Sequence, residues 1–520
     1  MLNSSKLTRR DGKKKERMFY ISLVILSLFI FMLPGDPGYV LFDDSGSYMN
    51  LYVNNEGVMP GYPLFLHGNK LMFGEANYLY AVVVEQAVLA AACVIVFIAV
   101  IKKKFDLRYW EAYVCYAFAL LPFTTNMPDS MTTHEIVTEG VAYALFYLFM
   151  AVLLQSVWNK NFKWLGVLCG MALLLSLIRS QLQILFGVCG VVCIYIAVLR
   201  PEKPDGKKDR RLLRFLVGMI GCMVIGLAGI WTTGKVSAAF QDMKAEVRRE
   251  EQKQVEQAQS GASSDSEDVQ EQKQSAKPVF TTSQYVTLIF SRGIYEADYE
   301  DYLLFEDELV RELYLFIYPR LDKAQNRYVY TQPGLWMWKD IVGGIGRIGG
   351  QCYHIQNKFY NNNYPNLVYS SNYSSVRNAN QVKIGLTLIK AHFGRFVYHT
   401  LMLLPQAFIC TVFFQIERIY LMCHLITLFL YLVALALMIW AYKDKKVENA
   451  YGEFMCCVLG TNLILVLVIS LVFFGQQRYL VYNFGIFYIS AFLLFMKLWR
   501  VYLRDLLVQV RSRITHRDSL

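Results

Sequence analysis

The sequence lacks the cysteine and histidine patterns of a disulfide-bonded or zinc-binding protein. Eleven cysteines occur among its 520 residues, and nine of them lie within long apolar runs. Only Cys352 lies clearly in a polar region, and Cys410 lies near the edge of an apolar run. Neither a disulfide framework nor a zinc site is therefore predicted.

Charged residues are also scarce for a chain of this length. They make up 18% of the sequence, whereas 55% is hydrophobic and the mean hydropathy is +0.31. This composition predicts a protein with many membrane spans rather than a soluble one. The net charge of +11 does not indicate nucleic-acid binding, because the basic residues gather in short segments between apolar runs.

Ten apolar runs have roughly the length of a transmembrane helix, which needs about 17–25 residues. The first run is short, but no small-residue cleavage site follows it. An uncleaved first span with a cytoplasmic N-terminus is therefore predicted. The ten runs are 19–33, 77–101, 109–126, 135–157, 163–178, 181–199, 212–232, 418–442, 451–474 and 479–498.

The distribution of charge agrees with this topology. With the N-terminus inside, the five strongly basic segments all fall on the cytoplasmic side, at 102–104, 160–163, 200–214, 443–446 and 500–517. The positive-inside rule therefore predicts two cytoplasmic termini. Lysine-rich loops without a sorting signal favour a plasma membrane. The opposite loops carry Asp43, Asp44, Glu56, Asp129, His134 and Glu135.

The fold class predicted is an all-α polytopic membrane protein with about ten transmembrane helices. One large extracytoplasmic region is expected to have mixed or irregular structure, and residues 385–414 are expected to form one helix in the outer interface. The predicted units are a membrane module with seven spans (1–232), a charged low-complexity linker (233–277), the extracytoplasmic region (278–415), a module with three spans (416–498) and a basic cytoplasmic tail (499–520).

Acidic and basic side chains are expected to meet at one extracytoplasmic rim. The loop 41–50 (LFDDSGSYMN) holds two adjacent carboxylates, and charges at the mouth of a membrane bundle are functional candidates. A carboxylate can take a proton from a hydroxyl, and an arginine fork matches a phosphate. Together they suit transfer from a phosphate-activated donor in the membrane. The rim residues are Asp43, Asp44, Asp129, His134, Glu135, Glu139, Arg179 and Arg478.

Each of these residues also has a structural interpretation. Arg179 and Arg478 can extend to the interface, Glu139 can stabilise a helix N-terminus, and Asp129 can cap a helix. His134 has a structural interpretation as well. The glycine-rich stretch 343–350 (GGIGRIGG) lacks the Lys-Ser/Thr of a nucleotide-binding loop, so helix packing or flexibility is its interpretation.

Several short features follow one another in a characteristic order. They are a short first span, Asp44 and Tyr48 in a D-x-x-x-Y loop, the return MPGYPL at 59–64 with Tyr62, Thr138-Glu139 at the start of the fourth span, Arg179 between the fifth and sixth spans, and Arg478-Tyr479 before the last. This order resembles the GT-C superfamily of integral membrane glycosyltransferases. The nearest resemblance is to the bacterial relatives of protein O-mannosyltransferase and of the aminoarabinose transferase that modifies lipid A.

The resemblance implies a function and a role for each residue. The donor would be a polyprenyl-phosphate-linked sugar and the acceptor a hydroxyl on a cell-wall polymer, a glycolipid or a protein, with inversion at the sugar. Asp44 would be the general base, assisted by Asp43 or Asp129. The remaining roles would be phosphate binding by Arg478, Tyr479 and Arg179, and an acceptor or sugar pocket formed by Tyr48, Tyr62, His134 and Glu139.

Two departures and two alternatives accompany this interpretation. The family often has Asp-Glu where this chain has Asp44-Ser45, and Pro where Ser180 follows Arg179. No cofactor is firmly implied, and a divalent cation is compatible with the chemistry but not required by a monophosphate donor. The alternatives are a transporter or flippase of lipid-linked sugars and a polysaccharide polymerase. Few charges lie inside the predicted spans, which favours the enzyme.

Overall fold

The computed structural model describes most of the chain as helix. It describes residues 2–32, 38–42, 44–49, 59–124, 131–199, 211–260, 284–334, 337–368, 373–414, 416–472 and 477–503. Within these ranges there is no strand, and the only extended pairing is an isolated β-bridge between Val40 and Glu135. The predicted all-α class is confirmed.

The described residues of the N-terminal half form nine α-helices. They are α1 (Leu2–Met32), α2 (Ser45–Met49), α3 (Gly61–Phe73), α4 (Tyr78–Phe105), α5 (Tyr109–Ala119), α6 (Thr138–Asn159), α7 (Phe162–Ile178), α8 (Leu185–Leu199) and α9 (Arg211–Ser260).

Ten more, several of them short, lie in the part of the C-terminal half that the structure describes. They are α10 (Gln284–Tyr295), α11 (Glu308–Lys323), α12 (Met337–Asn363), α13 (Pro365–Val368), α14 (Tyr373–Ala391), α15 (Phe393–Val412), α16 (Tyr420–Lys443), α17 (Asn449–Val472), α18 (Gln477–Leu480) and α19 (Phe484–Leu498).

Seven segments of the described chain are long and apolar enough to cross a membrane, so this is an all-α membrane protein. They are Tyr78–Phe105, Thr138–Asn159, Ser180–Val198, Phe215–Val236, Tyr420–Lys443, Asn449–Leu471 and Arg478–Tyr502.

The other three predicted spans coincide with helices that are shorter or more polar. The run 109–126 is one example, because its α-helix ends at Ala119 and a 3₁₀ turn with Pro122 follows. Proline lacks the N–H group that a continuing helix would use. The total of ten spans stays a prediction.

Described basic residues of the segments 102–104 and 500–517 lie at one end of the helix bundle. There Lys102 lies 3.9 Å from Glu16, Lys104 lies over the ring of Trp158, and Arg500 pairs with Glu111. Helix α6 begins near Glu139 and reaches Trp158 nineteen residues later, a rise of about 28 Å at ~1.5 Å per residue. Glu139, a predicted site residue, therefore lies at the opposite end of the bundle.

Helix α9 crosses a predicted boundary. The linker was expected to begin at residue 233, but α9 continues without interruption from Arg211 to Ser260. Glutamate, glutamine and lysine favour helix, so the charged sequence after the apolar run extends it rather than ending it.

The described part of 278–415 is helical, which corrects the expectation of mixed or irregular structure. Helix α12 shows why: Ile341, Ile345, Ile348 and Cys352 recur every three or four residues and are all buried. That spacing places them on one face of a helix, which packs into a second hydrophobic core.

The glycine-rich stretch 343–350 lies within α12, and a Cβ at Gly344 would lie 2.7 Å from the ring of Tyr295. The stretch therefore serves close helix packing.

The single interfacial helix expected over 385–414 is two helices, α14 and α15, which meet at His392. Polar contacts explain the break, because the His392 ring pairs with Asp301 on a neighbouring segment. Three acid–base pairs join this segment to α15 and to His392 directly before it. They are Glu296–His399 at 2.8 Å, Asp298–Arg395 at 2.7 Å and Asp301–His392 at 2.7 Å.

Helix α15 links the two cores. Leu403 belongs to the core of the 284–403 region, whereas Ala407, Cys410 and Val412 belong to the core of the membrane bundle. The helix also contacts α18 and the 3₁₀ turn that follows it. The region after α9 is thereby packed against the segment that carries Arg478.

Candidate functional site

The loop before α2 is held against the segment that precedes α6. The Val40 N–H donates to the His134 carbonyl at 2.8 Å, and the Ile136 N–H donates to the Val40 carbonyl at 2.9 Å. The Ser45 hydroxyl donates to the Ile136 carbonyl at 2.8 Å and accepts from the Phe42 N–H at 2.8 Å. These bonds fix the backbone on both sides of Asp44.

Asp44 contacts Arg478, a residue 434 positions away. The Arg478 Nη1 donates to Asp44 Oδ2 at 3.0 Å. The Arg478 Nη2 donates to the hydroxyl of Tyr479 at 3.0 Å, and the Tyr143 hydroxyl donates to the Arg478 carbonyl at 2.9 Å. The structure therefore brings together the first-loop carboxylate and the C-terminal arginine that the sequence analysis selected separately.

A second ion pair lies beneath the first. Arg179 Nη1 lies 2.6 Å from Glu139 Oε1, and Arg478 Nε lies 3.8 Å from the same oxygen. The contact between Arg179 and Glu139 is a close ion pair, because the N–H group is not aligned for a hydrogen bond. The Thr138 hydroxyl donates to Glu139 Oε2 at 3.0 Å. Asp44, Arg478, Glu139 and Arg179 thus form a row of alternating charge, which we call the charge row.

Exposure falls along the charge row. The side chains of Asp44 and Arg478 are 47% and 34% exposed, whereas those of Arg179 and Glu139 are 10% and 2% exposed. The outer pair is accessible to a ligand, and the inner pair is almost fully desolvated.

Tyr479 lies between the two guanidinium groups. Its ring centroid is 4.9 Å from the Arg179 Cζ and 5.0 Å from the Arg478 Cζ. Cations over an aromatic face are attracted by the ring quadrupole. Tyr479 therefore helps to hold two like charges near one another.

Tyr48 lies beside the charge row and Tyr62 lies below it. Their rings meet edge to face with centroids 5.5 Å apart. Burial raises the pKa of Tyr48 to about 12, against the opposing effect of Arg179. The Tyr48 hydroxyl therefore stays protonated and can donate a hydrogen bond. Tyr62 is fully buried and donates to Gln86 Oε1 at 3.1 Å, so it supports Tyr48 from below rather than lining an open pocket.

His134 is turned away from the charge row. It is buried, and its Nε2 lies 2.6 Å from the Phe31 carbonyl at the end of α1. This contact favours its structural interpretation over a role in the acceptor pocket. Asp43 and Asp129, the other two predicted catalytic carboxylates, lie outside the described residues.

Three residues beside the charge row were missed by sequence reasoning. Tyr143 supports the Arg478 backbone, and Gln181 Nε2 donates to the Tyr482 hydroxyl at 3.2 Å. A spacing signal was present, because Tyr143 and Tyr482 each follow a selected residue by four positions. Residues four apart share one face of a helix, which holds for Glu139 and Tyr143 in α6, whereas Tyr482 lies in the 3₁₀ turn that follows α18.

The charge row does not have the composition of a metal site. Among the described residues, no group of three or more His, Cys, Asp or Glu side chains could hold a metal ion. The row supplies only two carboxylates, and an arginine contacts each of them. We therefore derive no step through a divalent cation.

The chain was also compared with known proteins. No protein family matches the sequence, and no curated protein is significantly similar to it. The class defined by fold and site is thus an all-α membrane protein with a row of paired charges at one end of its bundle.

Proposed function

We propose that the protein is a membrane glycosyltransferase of the GT-C kind. It would move a monosaccharide from a polyprenyl-phosphate donor to a hydroxyl of a cell-wall polymer, a glycolipid or a protein. The observation that carries the proposal is the 3.0 Å contact between Asp44 and Arg478. A potential general base and a potential phosphate ligand meet at one partly exposed place, where donor and acceptor must also meet.

In the proposed reaction Asp44 takes the proton of the acceptor hydroxyl. The acceptor oxygen forms a bond to the anomeric carbon as the bond from that carbon to the phosphate oxygen breaks. The electron pair of the broken bond stays on the phosphate, which leaves as the polyprenyl phosphate. The resemblance to the GT-C superfamily implies inversion at the sugar.

The two arginines are assigned to the phosphate. Arg478 would contact it directly, because its side chain is the more exposed of the two. Arg179 would add positive potential from beneath, where low dielectric strengthens electrostatic interactions. Tyr48 borders the place where the sugar and the acceptor would lie, and Glu139 lies beneath it.

The orientation in the membrane is part of the proposal. Ten spans with both termini in the cytoplasm would put the basic end of the bundle inside and the charge row outside a plasma membrane. Residues 278–415 would then be extracytoplasmic, beside the acceptor. The separation of basic loops and charge row to opposite ends of the bundle supports this orientation.

A transporter or flippase of lipid-linked sugars is the alternative from another class, and a polysaccharide polymerase is the nearer one. Transporters place substrate sites and broken helices near the middle of the bilayer. Glu139 lies in the first turn of α6 and Arg179 directly after α7, so both are at helix ends. This position favours the enzyme.

The test is sugar transfer by membranes that carry Asp44→Asn. General base catalysis contributes about 10²–10⁴-fold, so transfer should fall by that factor at matched expression. Glu75→Gln is the matched control, because it removes a carboxylate from an exposed ion pair with Lys70, apart from the charge row. Unchanged transfer in the Asp44 variant would remove this residue from the mechanism and direct attention to Asp43 and Asp129.

A further inference from the structure

In the outer pair of the charge row, Asp44 and Arg478 are hydrogen-bonded to each other. Asp44 Oδ2 accepts a hydrogen bond from Arg478 Nη1, the group assigned to the donor phosphate. An oxygen held by a guanidinium is not free to accept the proton of a hydroxyl. A guanidinium edge occupied by a carboxylate is likewise not free for a phosphate. In this arrangement the ion pair competes with both proposed roles.

Arg478 has an inner and an outer edge, and only one of them can exchange partners. Its Nε lies 3.8 Å from Glu139, which is 2% exposed and already paired with Arg179. Its Nη1 faces Asp44, which is 47% exposed. A phosphate with its fork-like pair of oxygens must approach along the outer edge, where Asp44 now lies.

We propose that the Asp44–Arg478 pair is an exchangeable latch that couples donor binding to base release. A prenyl phosphate that binds Arg478 displaces Asp44, and the freed carboxylate then faces the acceptor hydroxyl. Donor binding therefore increases the fraction of molecules in which the Asp44 carboxylate can act as the base. The latch rests on the proposed function for its donor, but its phosphate competition can be measured separately.

The latch predicts opposite effects of one substitution on binding and on transfer. Partly exposed ion pairs are weak, so Asp44 should weaken phosphate binding by a factor of roughly two to five. Asp44→Asn should therefore bind a prenyl phosphate about two- to fivefold more tightly than the wild-type protein. The same variant should transfer sugar about 10²–10⁴-fold more slowly, because its base is gone. A merely structural Asp44 would not produce tighter binding.

Binding is measured with farnesyl phosphate and the full-length protein in nanodiscs of zwitterionic phosphatidylcholine. Farnesol and inorganic phosphate serve as comparison ligands, which separates recognition of the phosphate from recognition of the chain. Arg478→Gln should weaken farnesyl phosphate binding at least tenfold, and Glu75→Gln should leave it unchanged. Asp44→Ser provides a second removal of the charge if the asparagine variant is unstable.

Each outcome decides between the latch and its alternatives. Unchanged or weaker farnesyl phosphate binding by both Asp44 variants overturns the latch, even if the wild-type protein transfers sugar. Equal binding of farnesol and farnesyl phosphate by the wild-type protein also overturns it, because no phosphate is then recognised. Tighter binding by the Asp44 variants, with no sugar transfer from any donor by the wild-type protein, supports the competition between Asp44 and the phosphate for Arg478 but overturns the transferase and with it the release of a base.

Discussion

Replacement of Glu139 by glutamine should strongly destabilise the protein. The carboxylate is 2% exposed and lies 2.6 Å from Arg179, which is 10% exposed. Removing one partner of a buried ion pair leaves the other charge without compensation and costs about 3–5 kcal/mol. The outer pair, Asp44 and Arg478, is partly exposed, and exposed ion pairs contribute only about 0–1 kcal/mol to stability.

The surroundings of Arg179 offer little compensation for the lost carboxylate. The Tyr479 ring already lies 4.9 Å from the Arg179 Cζ in the wild type, so this cation–π contact, worth about 2 kcal/mol or more when desolvated, adds no new compensation in the variant. The Arg478 guanidinium also contacts Glu139, at 3.8 Å, so two cations lose a shared counter-charge at once. We therefore expect a cost toward the upper end of the range for buried pairs.

The assay is thermal unfolding of four purified proteins in one detergent: wild type, Glu139→Gln, Arg179→Gln and the double variant. Both single variants should melt well below the wild type, and the double variant should lose clearly less than the sum of the two. That positive coupling is the signature of a contact between the two side chains. Asp44→Asn serves as the reference for an exposed pair and should change the melting temperature only slightly.

Two results would refute this reasoning. A loss for Glu139→Gln as small as that for Asp44→Asn would mean that the inner pair is not desolvated. Strictly additive losses in the double variant would mean that Glu139 and Arg179 do not interact. Either result would also weaken the assignment of Arg179 to the phosphate, because its position depends on Glu139.

The remaining predictions concern the region after α9. Gly385→Ala should destabilise by about 1–3 kcal/mol, because a Cβ there would lie 2.6 Å from the Ile289 carbonyl oxygen. Gly350→Ala, which meets nothing within 4 Å, should instead stabilise by about 1 kcal/mol in the same unfolding assay. Partial burial acts to raise the pKa of Asp298. Hydrogen bonds from Arg395 and Tyr328 to its carboxylate outweigh this effect and hold the pKa below the ordinary value of 3.8. The wild type should therefore melt at a higher temperature than Asp298→Asn at neutral pH, and the gap between the two melting temperatures should shrink as the pH falls below 3.8. A gap that does not depend on pH would contradict the lowered pKa of Asp298.

The positions of the membrane helices were largely predictable from the sequence. The run 77–101 corresponds to Tyr78–Phe105, and the run 418–442 corresponds to Tyr420–Lys443. Their apolarity is local information, since a bilayer requires each span to be continuous and apolar along its own length. Between 284 and 412 only one helix was predicted, over 385–414, because aromatic and amide residues obscured the amphipathic pattern of the others.

Within the candidate site, the residue types were predictable but their contacts were not. Asp44 and Arg478 each stood out as a charge at the end of an apolar run, and their ion pair joins residues 434 positions apart. Tyr62 and His134 had the right chemistry for a pocket, yet Gln86 and the end of α1 occupy their polar atoms. Local sequence does not encode these distances.

The sequence by itself determined the class of protein and which side chains are costly to keep near a membrane. Both follow from solvation, which acts on each segment separately. Only the tertiary structure decided that the four charges form one row, that its inner pair is buried and that its outer pair faces solvent. These features depend on how α6, α7 and the segment of Arg478 pack together, and packing is a property of the whole bundle.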